Sequence, residues 1–188
     1  MKKVLIPLIT IFTLLIGFSA KADDYSKTIS NFKSSPVTAD FFNNAYGYAV
    51  YPNIGKGGVG IGAAHGSGLV YLDNEKVGES KMTQLSIGFQ LGGQVYSQII
   101  FFQDKRSFDE FTAGNFEFSA DASAVALTMA AQAKAGTSGA SSSQGTDSDS
   151  TKQNAVTYHK GMAVMTLAKG GLMYEAALSG QKYSYKSL

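Results

Sequence analysis

Two rhythms of apolar residues divide the chain. From Asp23 to about Tyr46 they recur at helical spacing: Tyr25, Ile29 and Phe32 fall at i, i+4 and i+7 and make one stripe. Ser35-Pro36 restarts the helix, with Ser35 as a capping residue and proline in the first turn, where its missing N–H costs nothing. Phe41, Phe42 and Ala45 supply the apolar face of the second helix. From Gly47 the period drops to two. Tyr48 and Val50 lead into a turn expected at Pro52-Asn53, and Val59, Ile61 and Ala63 alternate with Gly58, Gly60 and Gly62. Thr83, Leu85, Ile87, Phe89 and Leu91 alternate with Gln84, Ser86, Gly88, Gln90 and Gly92. This is the clearest half-buried strand in the chain.

Gly92-Gly93 then reads as a tight hairpin turn before a strand through Val95 to Phe102. Asp104 to Phe111 reads as a short helix capped by Asp104, with Phe108 and Phe111 on one face. Phe116, Phe118 and Ala120 resume the period of two, and Ala122 to Ala135, although rich in alanine, is read as strand. Residues Gly136 to Thr151 are Ser, Gly, Thr and Asp with almost no apolar side chain, so this segment is expected to be a polar loop inserted between strands. A closing meander is expected at Val156–Tyr158, Met162–Ala168, Leu172–Leu178 and Lys182–Lys186, punctuated by Gly161, Gly170-Gly171 and Gly180. The fold class is therefore mainly β (α+β): a compact antiparallel β-barrel or strongly curved sheet with two or three short helices. Glycine inside strands weakens them unless curvature or a close approach requires it, and Gly62, Gly66, Gly68 and Gly88 sit where such a sheet would need it.

The first 22 residues carry a different message. Lys2 and Lys3 precede an apolar run from Val4 to Phe18, and Ala20-Lys21-Ala22 ends it with small residues at both positions a signal peptidase reads. The run is shorter than the roughly 20 residues a spanning helix needs. Residues 1–22 are therefore expected to be a cleaved signal peptide, and residues 23–188 a single domain placed in the bacterial periplasm, facing a membrane. Three of the 16 basic residues, Lys2, Lys3 and Lys21, lie in the leader; the remaining 13 against 14 acidic residues leave a formal charge of −1. No global field draws the domain to nucleic acid or anionic lipid, so any electrostatic site is a local patch. With no cysteine there is no disulfide, thiol nucleophile or thiolate metal site.

Gly58-x-Gly60 has the spacing of a phosphate loop, but a strand pattern runs straight through it and no helix follows. His65 and His159 are the only histidines, and Asp147 with Asp149 lacks the glycine and final glutamate of a calcium loop, so no metal and no cofactor are expected. There is no Gly-x-Ser-x-Gly elbow, His65 with Ser67 has no acid to orient the imidazole, and Asp121 has no carboxylate partner. The expectation is a binding protein and not an enzyme.

Three blocks carry a family resemblance. Tyr46-Gly47-Tyr48-Ala49-Val50-Tyr51-Pro52 with Gly57-Gly58-Val59-Gly60-Ile61-Gly62 resembles the opening of a SYLF domain. Phe116-Glu117-Phe118-Ser119-Ala120-Asp121-Ala122-Ser123 is similar to that family's central Ala-Asp-Ala-Ser stretch, and Gly170 to Gly180 to its closing strand. After Ser123 the chain departs from the pattern: alanine-rich sequence replaces the usual Gly-Pro step, and the polar loop is longer. The resemblance implies lipid binding; eukaryotic relatives bind phosphoinositides and are linked to cortical actin. For an exported bacterial domain, actin falls away as a partner, and the ligand implied is an anionic phospholipid or a glycolipid. The candidate headgroup ligands are Lys27, Lys33, Lys56, Lys160 and Lys169, with the Tyr25, Ile29 and Phe32 stripe as an element that could dip into the bilayer. Two alternatives remain: a small outer-membrane barrel, which the alternation and aromatics suit, and a protein-interaction module built on the 136–151 loop.

Overall fold

The computed structural model describes residues 16–59, 61–87, 92–118, 123–127, 157–169, 176–177 and 180–188. Helix α1 spans Ile16–Lys33 and α2 spans Pro36–Asn44. Proline opens α2 as expected, but Ser35 makes no capping hydrogen bond through its side chain. The buried Thr38 hydroxyl acts instead, reaching the carbonyls of Phe32 and, at 3.1 Å, Ser35, and so pins the break between the helices.

The strands are β1 (Gly47–Val59), β2 (Ile61–Leu72), β3 (Glu75–Ile87), β4 (Gly92–Phe102), β5 (Asn115–Glu117), β6 (Ser123–Leu127), β7 (Met162–Lys169), β8 (Ala176–Ala177) and β9 (Gln181–Ser187), with α3 (Lys105–Thr112) between β4 and β5. Among the described residues they form one sheet in the order β5-β9-β3-β2-β1-β4-β7-β6-β8. The order is open at both ends, so the barrel half of the expectation gives way to the strongly curved sheet. The sheet is also not wholly antiparallel, because β6 runs parallel to β7.

Three turn assignments differ from the sequence expectation. Pro52-Asn53 is not a turn: β1 runs through it, and the register slips between Val50 or Tyr51 and Ile54 against both neighbours. A bulge is where a central strand tolerates the missing N–H of proline. Gly92-Gly93 lies inside β4, opposite Gly58 and Gly57, and not in a hairpin turn. A hairpin turn that the apolar rhythm alone did not announce joins β2 to β3 at Asp73-Asn74; both have positive φ, 51° and 64°, as a two-residue turn of this hand requires. In the C-terminal meander, Thr157 and Tyr158 are not strand and His159 pairs only with Met162, whereas β7 and β9 lie where expected. Asp121, the 136–151 loop and most of Gly170–Gly180 lie outside the described residues.

The bend of the sheet is visible in which side chains meet. Three strands separate β9 from β4 in the ladder, yet the Gln98 amide donates to the Tyr183 hydroxyl at 2.7 Å. The Tyr51 and Tyr183 rings meet edge-on at 5.6 Å across two intervening strands. That face is therefore concave. Its apolar core holds Tyr51, Ile54, Met82, Ile100, Phe102 and Val164, closed by Phe111 of α3. The opposite, convex face carries a second core of Tyr48, Val50, Ile99, Phe101 and Met165, covered by Phe32 of α1 and Phe41 and Phe42 of α2.

Glycines on the concave side of β2 and β3 make room for large neighbours. A Cβ on Gly68 would stand 2.4 Å from the Tyr51 ring, and one on Gly78 2.2 Å from the Tyr185 ring. The absent side chains are thus occupied by aromatic rings and are not only a device for curvature. Helix α3 begins with the expected cap: Asp104 accepts the Ser107 N–H at 2.8 Å, while Ser107 Oγ receives the Asp104 N–H at 3.3 Å. Phe108 and Phe111 share its inner face.

Two outcomes follow. Gly68→Ala displaces the Tyr51 ring and lowers the unfolding free energy by roughly 1–3 kcal/mol, the usual cost of overpacking a core, measured by urea denaturation; an unchanged midpoint would contradict the packing described. Asp104→Ala lowers the melting temperature at neutral pH. The hydrogen bond from the Ser107 N–H, aided by the Arg106 charge, holds the Asp104 carboxyl below its ordinary value. Its stabilisation is therefore present above the unfolded-state value and lost as pH falls through the folded one. The gap between wild type and variant closes in acid.

Candidate functional site

The end of the sheet where β1 and β3 finish and β2 and β4 begin is its distal end. There the alternation persists but its faces are reversed. Leu85, in the clearest amphipathic strand, is 76% exposed, while its polar neighbour Gln84 is 6% exposed and faces the concave side. Ile61 is 68% and Val95 43% exposed. The register gathers these residues on the convex face: Ile61 is opposite Val59 and Ile87, and Ala63 is opposite Leu85. Helix α1 reaches this half from the proximal side: the Tyr25 hydroxyl donates to Ser67 O at 3.2 Å and the Asn53 amide donates to the Asp24 carboxylate at 3.2 Å.

Behind the apolar rows lies a row bounded by lysines. Through successive pairings it reads Lys182, Thr83, His65, Gly55, Val95, Lys169. Both lysines are exposed; Lys169 donates to Asn53 Oδ1 at 2.7 Å, and Lys182 lies 3.5 Å from a Glu117 carboxylate oxygen. Lys56 stands one position further out and on the concave face, opposite Ala64 and Gln94.

Among the described residues, the concave face at this end is polar and uncharged apart from Lys56. Gln98 donates to Gln181 Oε1 at 3.2 Å as well as to Tyr183, the Tyr183 hydroxyl donates to Gln181, and Gln181 donates to Gln84 Oε1 at 3.4 Å. Burial pushes the Tyr96 phenol up to about 12, against the opposing pull of its Gln181 hydrogen bond, and raises that of Tyr183 well above its ordinary value. Both are neutral hydrogen-bonding groups at physiological pH. Amides and neutral phenols bind and orient a ligand; this set contains no group poised to move a proton.

The five lysines singled out from sequence do not form one site. Lys56 and Lys169 both lie in the distal half but on opposite faces of the sheet, in neighbouring rows. Lys33 is spent over the Phe42 ring, 5.1 Å from its centre. Lys160 lies at the far end of β7 with positive φ, its carbonyl accepting from Arg106. Lys27 is exposed on α1. The Tyr25, Ile29 and Phe32 stripe packs on the sheet, so it is not a free dipping element. His65 and His159 lie in separate parts of the sheet, and no metal-binding cluster occurs among the described residues. Gln98, Thr166, Gln181 and Lys182 were not singled out. Only Gln98, a glutamine inside the apolar run from Val95 to Phe102, carried a visible signal.

Among known proteins, the model of the family described as Ysc84, Las17-binding protein actin regulator, matches residues 83–186. The chain is also similar to Beta cell expansion factor A of Aeromonas veronii, 28% identical over 171 residues; the match covers 89% of this chain and 56% of that protein, so the chain spans little more than half the length of that relative. With more than half of its residues matched, its concave glutamine-tyrosine face and its reversed distal strands included in part, the chain belongs to the Ysc84 (SYLF) family, a family of binding domains known for lipid association.

Proposed function

We propose that this domain binds the surface of an anionic bilayer in the bacterial envelope, distal end first. The observation that carries the reading is the reversal of the alternation there. A surface in water hides apolar residues, whereas a surface meeting acyl chains shows them. Ile61 and Leu85 enter the acyl boundary, and Val95, Lys169 and Lys182 lie in the row behind, the two lysines at the depth of the phosphates. Each buried Leu or Ile contributes on the order of 1.5–3 kcal/mol and each lysine near the surface about 1 kcal/mol. A net charge of −1 does not oppose this, because lysines within a Debye length of the phosphates dominate.

A spanning barrel shows the same reversal. Dipping is favoured because helices cover the convex face of the other half of the sheet and the strand order is open among the described residues. Export follows from the leader. Cleavage after Ala22 shortens α1 but leaves Tyr25, Ile29 and Phe32, the residues that dock it.

In vesicle flotation, wild type floats with anionic but not with neutral vesicles and is released from membranes by salt or carbonate. Ile61→Asp with Leu85→Asp lowers the partition coefficient more than about tenfold; Lys169→Glu with Lys182→Glu lowers it on anionic vesicles and flattens its dependence on salt. Unaltered flotation of both double variants, or release only by detergent, overturns the reading. Export is checked separately: protein recovered from the periplasm begins at Asp23 by intact mass, and a full-length cytoplasmic product refutes it.

A further inference from the structure

Within the concave face, Gln98 and Thr166 are opposite each other on β4 and β7. Both are 0% exposed, and Gln98 Oε1 and Thr166 Oγ1 have no hydrogen-bond partner among the described residues. The Gln98 amide nitrogen is already engaged with Gln181 and Tyr183, which leaves its oxygen as an acceptor. A buried polar atom without a partner costs about as much as a lost hydrogen bond, and two such atoms side by side, one accepting and one able to do either, fit a hydroxyl that donates to Gln98 and accepts from Thr166. Toward the distal end, Gly92, Gly58 and Gly62 are opposite one another on this face, and none of the three brings a side chain to close it. Lys56 stands in the next row with Gln94 and Gln84.

We propose that the concave face of the sheet is a binding site for a polyhydroxylated group, a glycerol-like polyol, held between Gln98 and Thr166. Its chemistry is that of neutral amides and hydroxyls, the set that recognises hydroxyls and not charges. A lipid headgroup and a free polyol both present it, and Lys56 at the rim suits a phosphate attached to the former. This site lies on the face opposite the apolar rows, so it does not depend on the bilayer reading and either can fail alone.

The decisive variant is Thr166→Val. It keeps shape, and removing an unpartnered buried hydroxyl leaves the melting temperature unchanged or raises it. Two arms test the site. In the first, glycerol is titrated into the isotope-labelled protein, and the side-chain amide resonances of Gln98 shift saturably in wild type but not in Thr166→Val. In the second, wild type prefers phosphatidylglycerol vesicles to phosphatidylmethanol vesicles, which match them in charge but lack the free hydroxyls. The preference is about threefold to tenfold, and Thr166→Val abolishes it while still binding phosphatidylmethanol. A glycerol response without a vesicle preference supports the site with a free polyol as its ligand; the preference alone supports it with the lipid. No vesicle binding of any kind defeats the surface reading and leaves the glycerol arm to decide. No response in either arm, or equal responses in wild type and variant, overturns the proposal.

Discussion

Tyr183 is where the two ends of the sheet meet. Its ring lies edge-on to Tyr51, and its hydroxyl is tied to Gln98 and Gln181, so strands far apart in the ladder are held across one concave space. Burial keeps the phenol neutral. The small residues of β2 follow from this bend. With Tyr51 folded over Gly68 and Ile54 over Gly66, a larger residue at either position would push the sheet flat. The bulge at Pro52-Asn53 belongs to the same adjustment. It lets β1 change register midway, so that Tyr51 and Ile54 both face inward.

The curved sheet lives in two environments. Its proximal half is an ordinary sandwiched layer, with α3 and aromatic side chains on one side and α1 and α2 on the other. Its distal half exposes Ile61, Leu85 and Val95 on the convex side and, among the described residues, is polar on the concave side. Hydrophobic residues in water would turn that half inside out at no cost in strand geometry, because a period of two is satisfied either way. They do not, because the register is already set by the proximal core and by Tyr183. The apolar rows at Ile61 and Leu85 are thus held outward by the packing of the remainder of the molecule. The proposed lipid surface is a surrounding in which that arrangement is favourable, and the lysines at the two ends of the adjoining row fit the same boundary.

On the two proposals, the faces divide the work of recognition. The convex face offers area and charge, which are indifferent to headgroup structure. The concave face offers aligned neutral hydrogen-bonding groups, which discriminate by the direction of hydroxyls and not by charge. Such a division would let affinity and selectivity be altered independently, since no residue serves both faces of the strands.

Local chemistry was legible in the sequence. Residues 23–46 announce two helices through the Tyr25, Ile29, Phe32 stripe and the Ser35-Pro36 break; Asp104 announces the start of α3; Met162–Ala168 and Lys182–Lys186 announce strands. Each rests on interactions within a few residues: periodicity, a cap, a proline lacking its N–H. The family was legible as well, in three ordered blocks. What only the tertiary structure decided was which face of each strand is inside. Gln84 and Leu85 alternate identically whichever is buried, and Lys169 and Lys182 share one row only because the pairings of β9, β3, β2, β1, β4 and β7 place them there. Alternation is a local property with two equivalent solutions; the choice between them is made by long-range register, which a single sequence does not contain.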